Sequence, residues 1–328
     1  MNHRTIYRLV VALCIFLSLG AKGQSAFMNR DNIYRVFEGI TYVVMEDTTT
    51  ATAVQYKSVI RKYWTASRIK IILPNQIRSV DTVKNSIFNI SKIIYIKDGS
   101  IIGILPYLRL RQNGKDLVSI YVQTDPYKYE KTVTVGSTQN KAARQKDSDY
   151  IYIQGADQHI IASFSYGDPS CTWGPGIMKN YIQQIMAYLK SRVEQKSGTD
   201  IAKDVELNTL KNKTLYVPDY MLIEYIPHGM GPSEMELRKR KPEEFMKNYP
   251  YPYKIATAVE LNKMILDSTK GIYYVLYNFM GGTKTISVTN SATGEVIYSE
   301  FVSMNFGLKP KDMKMISEAI IDAGTSKK

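Results

Sequence analysis

The chain has 328 residues, of which 44% are hydrophobic and 22% charged, and its formal net charge is +13 at pH 7. This composition excludes an intrinsically disordered chain, because disordered chains combine few apolar residues with a high net charge. The length is enough for one large or two medium-sized domains, and the 25 tyrosines are typical of strands with one face toward water or a partner.

The first 23 residues predict a cleaved signal peptide. Arg4 and Arg8 form a basic segment, residues 9–19 are an apolar run too short to cross a bilayer, and a small-x-small sequence ends at Gly23. Cleavage there removes three cations, which lowers the net charge to +10, and leaves Cys171 as the single cysteine. A basic exported chain without an internal disulfide indicates the periplasm or cell envelope.

Residues 24–196 predict a first α+β lobe, with an inserted, mobile excursion or hairpin arm around 125–149. Strands 101–110 and 117–122 are expected to pair across a turn that contains Asn113 and Gly114. The other predicted elements are strands at 40–45, 68–73, 93–96, 150–153 and 159–164, and helices at 53–64, 79–88 and 178–193.

Residues 197–210 predict a linker, with a possible short helix, and residues 211–322 predict a second α+β lobe before a tail at 323–328. The predicted elements of this lobe are strands at 214–217, 253–256, 272–277, 285–289 and 296–302, a helix that starts at Pro242, and helices at 259–266 and 310–320.

The two predicted lobes share one order of elements. Each begins strand, helix, strand, continues with antiparallel strands, and ends with an amphipathic helix. A helix with one apolar stripe must cover one face of a sheet. The sequence therefore predicts an α+β fold of two related lobes, each a mainly antiparallel sheet with helices packed on one face. Chance similarity between two ordinary α+β units is the alternative.

One segment also carries a resemblance. Residues 248–262, Asn-Tyr-Pro-Tyr-Pro-Tyr-Lys-Ile-Ala-Thr-Ala-Val-Glu-Leu-Asn, precede a tyrosine-rich strand and a Lys-Pro-Lys-Asp helix start. This combination resembles exported two-lobe proteins common in Bacteroidetes, and each lobe is similar in element order to envelope modules of the TolB N-terminal and CsgG type. The resemblance implies a non-catalytic envelope protein that binds other envelope components.

One group of residues suggests catalysis. Asp157 and His159 would share a strand face, and a return loop would bring Cys171 near them, as a cysteine nucleophile requires. Residues 174–176, Gly-Pro-Gly at a helix start, would offer free N–H groups to an oxyanion. The alternative is that Cys171 is a packed small hydrophobe and His159 a polar residue on an edge strand.

Other residues suggest binding. A run of four cations is a solvated cluster that would meet an anionic surface, and two aromatic residues are candidates for glycan binding. These residues are Arg238, Lys239, Arg240 and Lys241 for the cluster, and Trp173 and Tyr251 for the glycan site. His228 has no second histidine or cysteine at ligand spacing, so no metal site is predicted.

The sequence thus favours a non-catalytic periplasmic binding or assembly factor for envelope proteins or polymers. A Cys-dependent hydrolase or transferase centred on Cys171 and His159, and a glycan-binding module, are the alternatives. The charge favours an envelope protein or an anionic cell-wall or lipid surface as partner. Because no cofactor motif occurs and no apolar run after the leader reaches about 20 residues, neither a cofactor nor a transmembrane span is expected, and export argues against nucleic acid.

Overall fold

The computed structural model describes residues 33–45, 51–97, 100–121, 144–147, 150–155, 174–191, 201–227, 235–267, 271–280, 283–303 and 308–325. These ranges contain both helices and mixed sheets, so the α+β class is confirmed. No helix within them is both long and apolar enough to cross a bilayer. The predicted signal peptide, the predicted strand at 159–164 and most of the predicted excursion at 125–149 lie outside them.

The first half of the chain builds a seven-stranded sheet with the order β2-β1-β3-β4-β5, and β7 pairs with both β3 and β6. Strands β4 and β5 pair across the predicted turn. The elements are α1 (Ile33–Glu38), β1 (Ile40–Val44), α2 (Ala51–Tyr63), β2 (Arg68–Ile72), a 3₁₀ helix (Pro74–Ser79), β3 (Ser86–Lys97), β4 (Ser100–Gln112), β5 (Lys115–Tyr121), β6 (Arg144–Asp147), β7 (Tyr150–Gly155) and α3 (Pro175–Ser191).

The predicted helix at 79–88 is wrong. A 3₁₀ helix ends at Ser79, and the long strand β3 begins at Ser86. The Asp81 carboxylate accepts the N–H of Val83 at 3.0 Å, which favours a turn. The buried hydroxyls of Thr41 and Ser86 share a hydrogen bond of 2.7 Å, which fixes the start of β3 beside β1.

The second half builds a six-stranded sheet with the order β12-β9-β13-β14-β15-β8, and β10 and β11 form a separate antiparallel ribbon. The elements are β8 (Ile201–Ala202), α4 (Asp204–Thr209), β9 (Leu215–Pro218), a 3₁₀ helix (Asp219–Leu222), β10 (Ile223–Pro227), β11 (Met235–Lys239), α5 (Pro242–Met246), β12 (Tyr253–Ala256), α6 (Ala258–Asp267), β13 (Tyr273–Met280), β14 (Thr283–Asn290), β15 (Val296–Ser303) and α7 (Pro310–Thr325).

Both sheets are mixed rather than purely antiparallel, although most of their strand pairs are antiparallel, as the sequence predicted. In the first sheet β1 lies between β2 and β3 and runs parallel to both. In the second sheet β9 lies between β12 and β13 in the same way. Parallel neighbours follow because the chain crosses over through α2 and then the 3₁₀ helix in the first sheet, and through α5 and α6 in the second. Five strands follow the same order in both sheets, β2-β1-β3-β4-β5 and β12-β9-β13-β14-β15, while the relatedness of the lobes stays a prediction.

Helices cover both faces of the second sheet, so packing on one face is wrong for this sheet. Along β13, Tyr274 and Leu276 belong to an apolar cluster with α3 and α6. Val275, on the opposite face, belongs to a second cluster with α4, α5 and α7. The strand is therefore apolar on both sides, as expected for a sheet between two helix layers.

Helix α3 lies between the two sheets. The cluster that contains Tyr181 and Ile185 of α3 also contains Phe88 of the first sheet and Tyr274 of the second. The predicted linker at 197–210 contains β8, which pairs with β15, and α4, whose Leu207 is fully buried against the second sheet's outer helices. The predicted domain boundaries stay a prediction, but residues 201–210 are part of the second sheet's structure.

Asn180 attaches α3 to the second sheet through buried hydrogen bonds. Its Oδ1 accepts the hydroxyl of Tyr274 at 2.8 Å. Its Nδ2 donates to the carbonyl of Ser291 at 2.9 Å and to Gln183 Oε1 at 2.7 Å. Gly294 touches the Asn180 backbone so closely that a Cβ there would lie 2.7 Å from the Asn180 carbonyl oxygen. The contact therefore fixes the position of α3 on this sheet.

Replacing Asn180 with alanine should lower the free energy of unfolding by about 3 kcal/mol, because the buried Tyr274 hydroxyl and Ser291 carbonyl lose their hydrogen-bond partner. Urea denaturation measures the change. The matched control is Lys190→Ala, an exposed position on the same helix, which should change stability by less than about 0.5 kcal/mol. Equal effects of the two substitutions would contradict the role of Asn180.

Candidate binding surface

The residues proposed for catalysis lie outside the described part of the chain. Asp157, His159 and Cys171 fall within residues 156–173, as does Trp173, and His228 falls within 228–234. The hypothesis of a Cys-dependent enzyme therefore stays untested. Among the described residues, no group of three His, Cys, Asp or Glu side chains is placed to hold a metal ion.

The predicted oxyanion donor Gly176 at the start of α3 is not free, so the prediction is wrong for this residue. Asn262 of α6 accepts the N–H groups of Gly176 and Ile177 on its Oδ1, at 3.0 and 3.2 Å. The Asn262 Nδ2 donates to the Ala258 carbonyl at 2.9 Å, which holds the amide in place. A Cβ at Gly174 would lie 2.2 Å from Asn262 Oδ1, so the glycine permits this close approach. Asn262 thus caps α3 from another helix.

The predicted cation cluster divides over two elements. Arg238 and Lys239 are exposed on β11, and Lys241 is exposed directly before α5. Strand alternation sends Lys239 to the opposite face of the ribbon from Arg238. Arg238 forms an exposed ion pair of 3.3 Å with Glu244 of α5, and such a pair contributes little to the free energy of unfolding.

Arg240 differs from its neighbours because it is only 5% exposed, so the prediction of a fully solvated cluster is wrong at this position. Its guanidinium donates to Glu224 of β10 at 2.8 Å and to the Leu308 carbonyl at 2.6 Å. The same group stacks over the Phe245 ring, 5.8 Å from its centroid. Arg240 thereby joins the β10–β11 ribbon to the segment that starts α7.

A second buried ion pair fixes the start of α7 on the sheet. Lys284 of β14 and Asp312 of α7 are 0% and 2% exposed, and their charged atoms lie 2.6 Å apart. The Asp312 carboxylate also accepts the N–H of Lys309 at 2.7 Å. Burial lowers the pKa of Lys284, since the loss of water outweighs the contact with Asp312.

Together these contacts present an exposed group of cations, here called the basic surface, which consists of Arg238, Lys309 and Lys311. Glu224 has a lowered pKa, caused first by its hydrogen bond from Arg240 and then by the charges of Arg240, Arg238 and Lys309. Lys309 and Lys311 also lower the pKa of Lys284. The geometry places them around the start of α7. Arg238 pairs with Glu224 across the ribbon, Arg240 binds the Leu308 carbonyl, and Lys309 and Lys311 flank Pro310.

Tyr251 is half-buried, and its ring packs edge to face on the buried Tyr249, with centroids 5.5 Å apart and planes at 81°. Such a brace holds the ring in one orientation. With Trp173 outside the described ranges, the glycan-binding alternative stays a prediction.

In comparisons with known proteins, no family model, curated protein or solved structure matches the chain. The resemblances suggested by the sequence therefore stay predictions.

Sequence reasoning missed the buried polar residues that hold this surface in place. Lys284 follows the strand period of Ile286 and Val288, which indicates an inward-facing side chain. Asp312 lies in the first turn of a helix that begins with Pro310, where a carboxylate is favoured. Glu224 gave no sequence signal, because the β10–β11 register that places it beside Arg240 is not evident from either strand alone.

Replacing Asp312 with alanine should cost about 4 kcal/mol of unfolding free energy, because the buried Lys284 ammonium loses its carboxylate. The double substitution Lys284→Met, Asp312→Leu should recover most of that loss. Chemical denaturation tests both. Lys314→Ala, in an exposed pair with Glu318, is the control and should change stability by less than about 0.5 kcal/mol. An Asp312→Ala loss as small as the control's would contradict burial of this pair.

Glu224 should contribute to acid sensitivity. Its pKa lies below the ordinary 4.5 in the folded state, so the unfolded chain binds more protons in that window and stability rises with pH across it. The contribution is present above about pH 4.5 and is lost as pH falls through the folded pKa. Glu224→Gln should destabilise the protein at pH 7 and approach wild-type stability as the pH falls below 4.

The measurement is the urea midpoint of wild type and Glu224→Gln between pH 3.5 and 7. Glu318→Gln, at an exposed pair, serves as the matched control, and its difference from wild type should be small at every pH. A constant difference between Glu224→Gln and wild type over the whole range would rule out the linkage.

Proposed function

We propose that the protein is a non-catalytic binding or assembly factor of the cell envelope that engages an anionic partner through the basic surface. The partner would be an acidic envelope protein or an anionic cell-wall or lipid surface. Export through the signal peptide predicted at residues 1–23 is part of this proposal.

The observation that supports this proposal most is that some of the neighbouring cations are buried in internal contacts while others are exposed. Arg240 and Lys284 are buried and use their charges in internal contacts. Arg238, Lys309 and Lys311 are exposed on the scaffold that these contacts hold together. Exposed cations on such a scaffold steer an oppositely charged partner and help to orient it, and the exposed pair of Arg238 with Glu244 is weak in water.

We also infer that the two sheets derive from one duplicated unit. The shared strand order supports this: one central strand runs parallel to both neighbours, and a two-step antiparallel meander follows. Under this proposal, the β10–β11 ribbon and Arg240 are an addition specific to the second unit. The basic surface would then have arisen after duplication.

Charge reversal at the basic surface tests the function. The triple variant Arg238→Glu, Lys309→Glu, Lys311→Glu should weaken binding to phosphatidylglycerol vesicles or to an immobilised polyglutamate peptide by about tenfold or more. Binding of the wild type should fall as salt rises, because the charges are exposed and screened. Co-sedimentation measures the first probe and surface plasmon resonance the second.

The matched control reverses three exposed lysines elsewhere, Lys84, Lys190 and Lys263. Both triple variants change the net charge by the same amount per substitution, so a general charge effect would weaken both equally. That result would contradict the proposal, as would full binding by the first variant. Preference for one probe tells a lipid surface from an acidic protein.

A further inference from the structure

A second group of cations lies on the first sheet, on the face turned away from α2 and α3. Along β4, Leu108 and Leu110 face the apolar core shared with these helices. Strand alternation puts Tyr107, Arg109 and Arg111 on the opposite face. The two arginines are two positions apart on one strand, so their Cα atoms are roughly 6.6 Å apart and their side chains are adjacent.

Arg109 is buried, at 9% exposure, yet its polar contacts are long. Its guanidinium lies 3.4 Å from Asn89 Oδ1, 3.4 Å from the Tyr107 hydroxyl and 3.6 Å from Asp116 Oδ1. Charge-assisted hydrogen bonds between a guanidinium and a carboxylate are ordinarily about 2.7–2.9 Å. The donors of this buried cation are therefore only weakly engaged.

Arg111 has a donor with no acceptor. Its Nη2 donates to the Gly114 carbonyl at 3.0 Å. Its Nε is buried and, within the described part of the chain, finds no hydrogen-bond partner. An unpaired buried donor costs free energy, so it favours a ligand that brings an acceptor.

A β-bulge brings Asp116 to the same face. The β4–β5 register shifts by one residue between Leu110 and Arg111, so Arg111 pairs with Asp116. A regular ladder would put Leu117 there, but Leu117 is fully buried in the core instead. Bulges re-aim side chains in this way, often beside functional sites. Burial raises the pKa of Asp116 despite the charges of Arg109 and Arg111.

The local charge decides the class of ligand. Two guanidinium groups and one carboxylate leave a net charge of +1, which a single carboxylate ligand would neutralise. A phosphate dianion would leave a net negative charge in a poorly solvated place, which is unfavourable. A planar carboxylate also matches the fork of guanidinium donors.

We propose that Arg109 and Arg111 form a binding site for a carboxylate on the face of the first sheet that is turned away from α2 and α3. The carboxylate comes from a small organic acid or from an acidic side chain of a peptide. This site is separate from the basic surface, so its test does not depend on the proposed function.

The test uses the full chain, with NMR of the arginine Nε–Hε groups during titration with acetate or with the blocked peptide acetyl-Gly-Glu-Gly-amide. The Arg109 and Arg111 signals should shift saturably with at least one probe. Tighter binding of acetate points to a small acid, and tighter binding of the peptide points to an acidic chain. Inorganic phosphate should bind more weakly than the better of the two probes.

Variants separate binding from folding. Arg111→Gln should weaken the better probe at least about tenfold, and Arg111→Lys should weaken it too, because an ammonium lacks the planar fork. Asp116→Asn should tighten binding, since it removes the competing carboxylate. Arg238→Gln, on the basic surface, should leave it unchanged. Absence of saturable shifts, stronger binding of phosphate, or weaker binding by Asp116→Asn would overturn the proposal.

Discussion

The position of α3 on the second sheet is the constraint on which the rest of the structure depends. Asn262 accepts the first free N–H groups of α3, and Asn180 bonds to Tyr274 of β13 and to Ser291 in the turn after β14. The apolar residues Tyr181 and Ile185 of the helix share a core cluster with Phe88 of the first sheet. One helix therefore belongs to both cores, and removing its polar contacts would leave buried donors and acceptors unpaired.

The shared helix distinguishes this fold from two separate lobes joined by a linker. Two lobes joined by a linker would each close their own core, and the linker would be exposed. Here the two sheets share a helix layer, and β8 and α4 of the predicted linker are built into the second sheet and its outer layer. Five strands have the same order in both sheets, but the surroundings differ. Within the described ranges α-helices cover both faces of the second sheet, whereas the first sheet has α-helices on one face and the 3₁₀ helix Pro74–Ser79 on the other.

Local patterns predicted the elements well where one apolar face decided them. The stripe of Met178, Ile182, Ile185 and Leu189 located α3, and the Asn-Gly turn located the β4–β5 hairpin. The sequence did not predict contacts between residues far apart in the chain. The sequence gives no sign that Asn180 bonds to Ser291, 111 positions away, or that Asn262 caps α3. The predicted helix at 79–88 failed because the Asp81 turn and the Thr41–Ser86 contact outweigh a weak apolar spacing.

The same limit applies to the candidate site. The four consecutive cations Arg238 to Lys241 cannot be told apart in the sequence. In the fold, Arg240 is buried and bonds to the Glu224 carboxylate and the Leu308 carbonyl, whereas Arg238 is exposed. The anionic partner suggested by composition stays a prediction, whereas the division into buried and exposed cations became visible only in the fold. Likewise, the one-residue register shift between β4 and β5 places Asp116 beside Arg109 and Arg111, and no local sequence pattern predicts that shift.

Native-state hydrogen exchange tests the central claim, that the two sheets form one cooperative unit through α3. The slowest amides of β1 and β13 should share one opening free energy, to within about 1 kcal/mol, and Asn180→Ala should lower both by the same amount. An opening that exposes the first sheet while the second stays protected, or an Asn180→Ala effect confined to one sheet, would contradict the account.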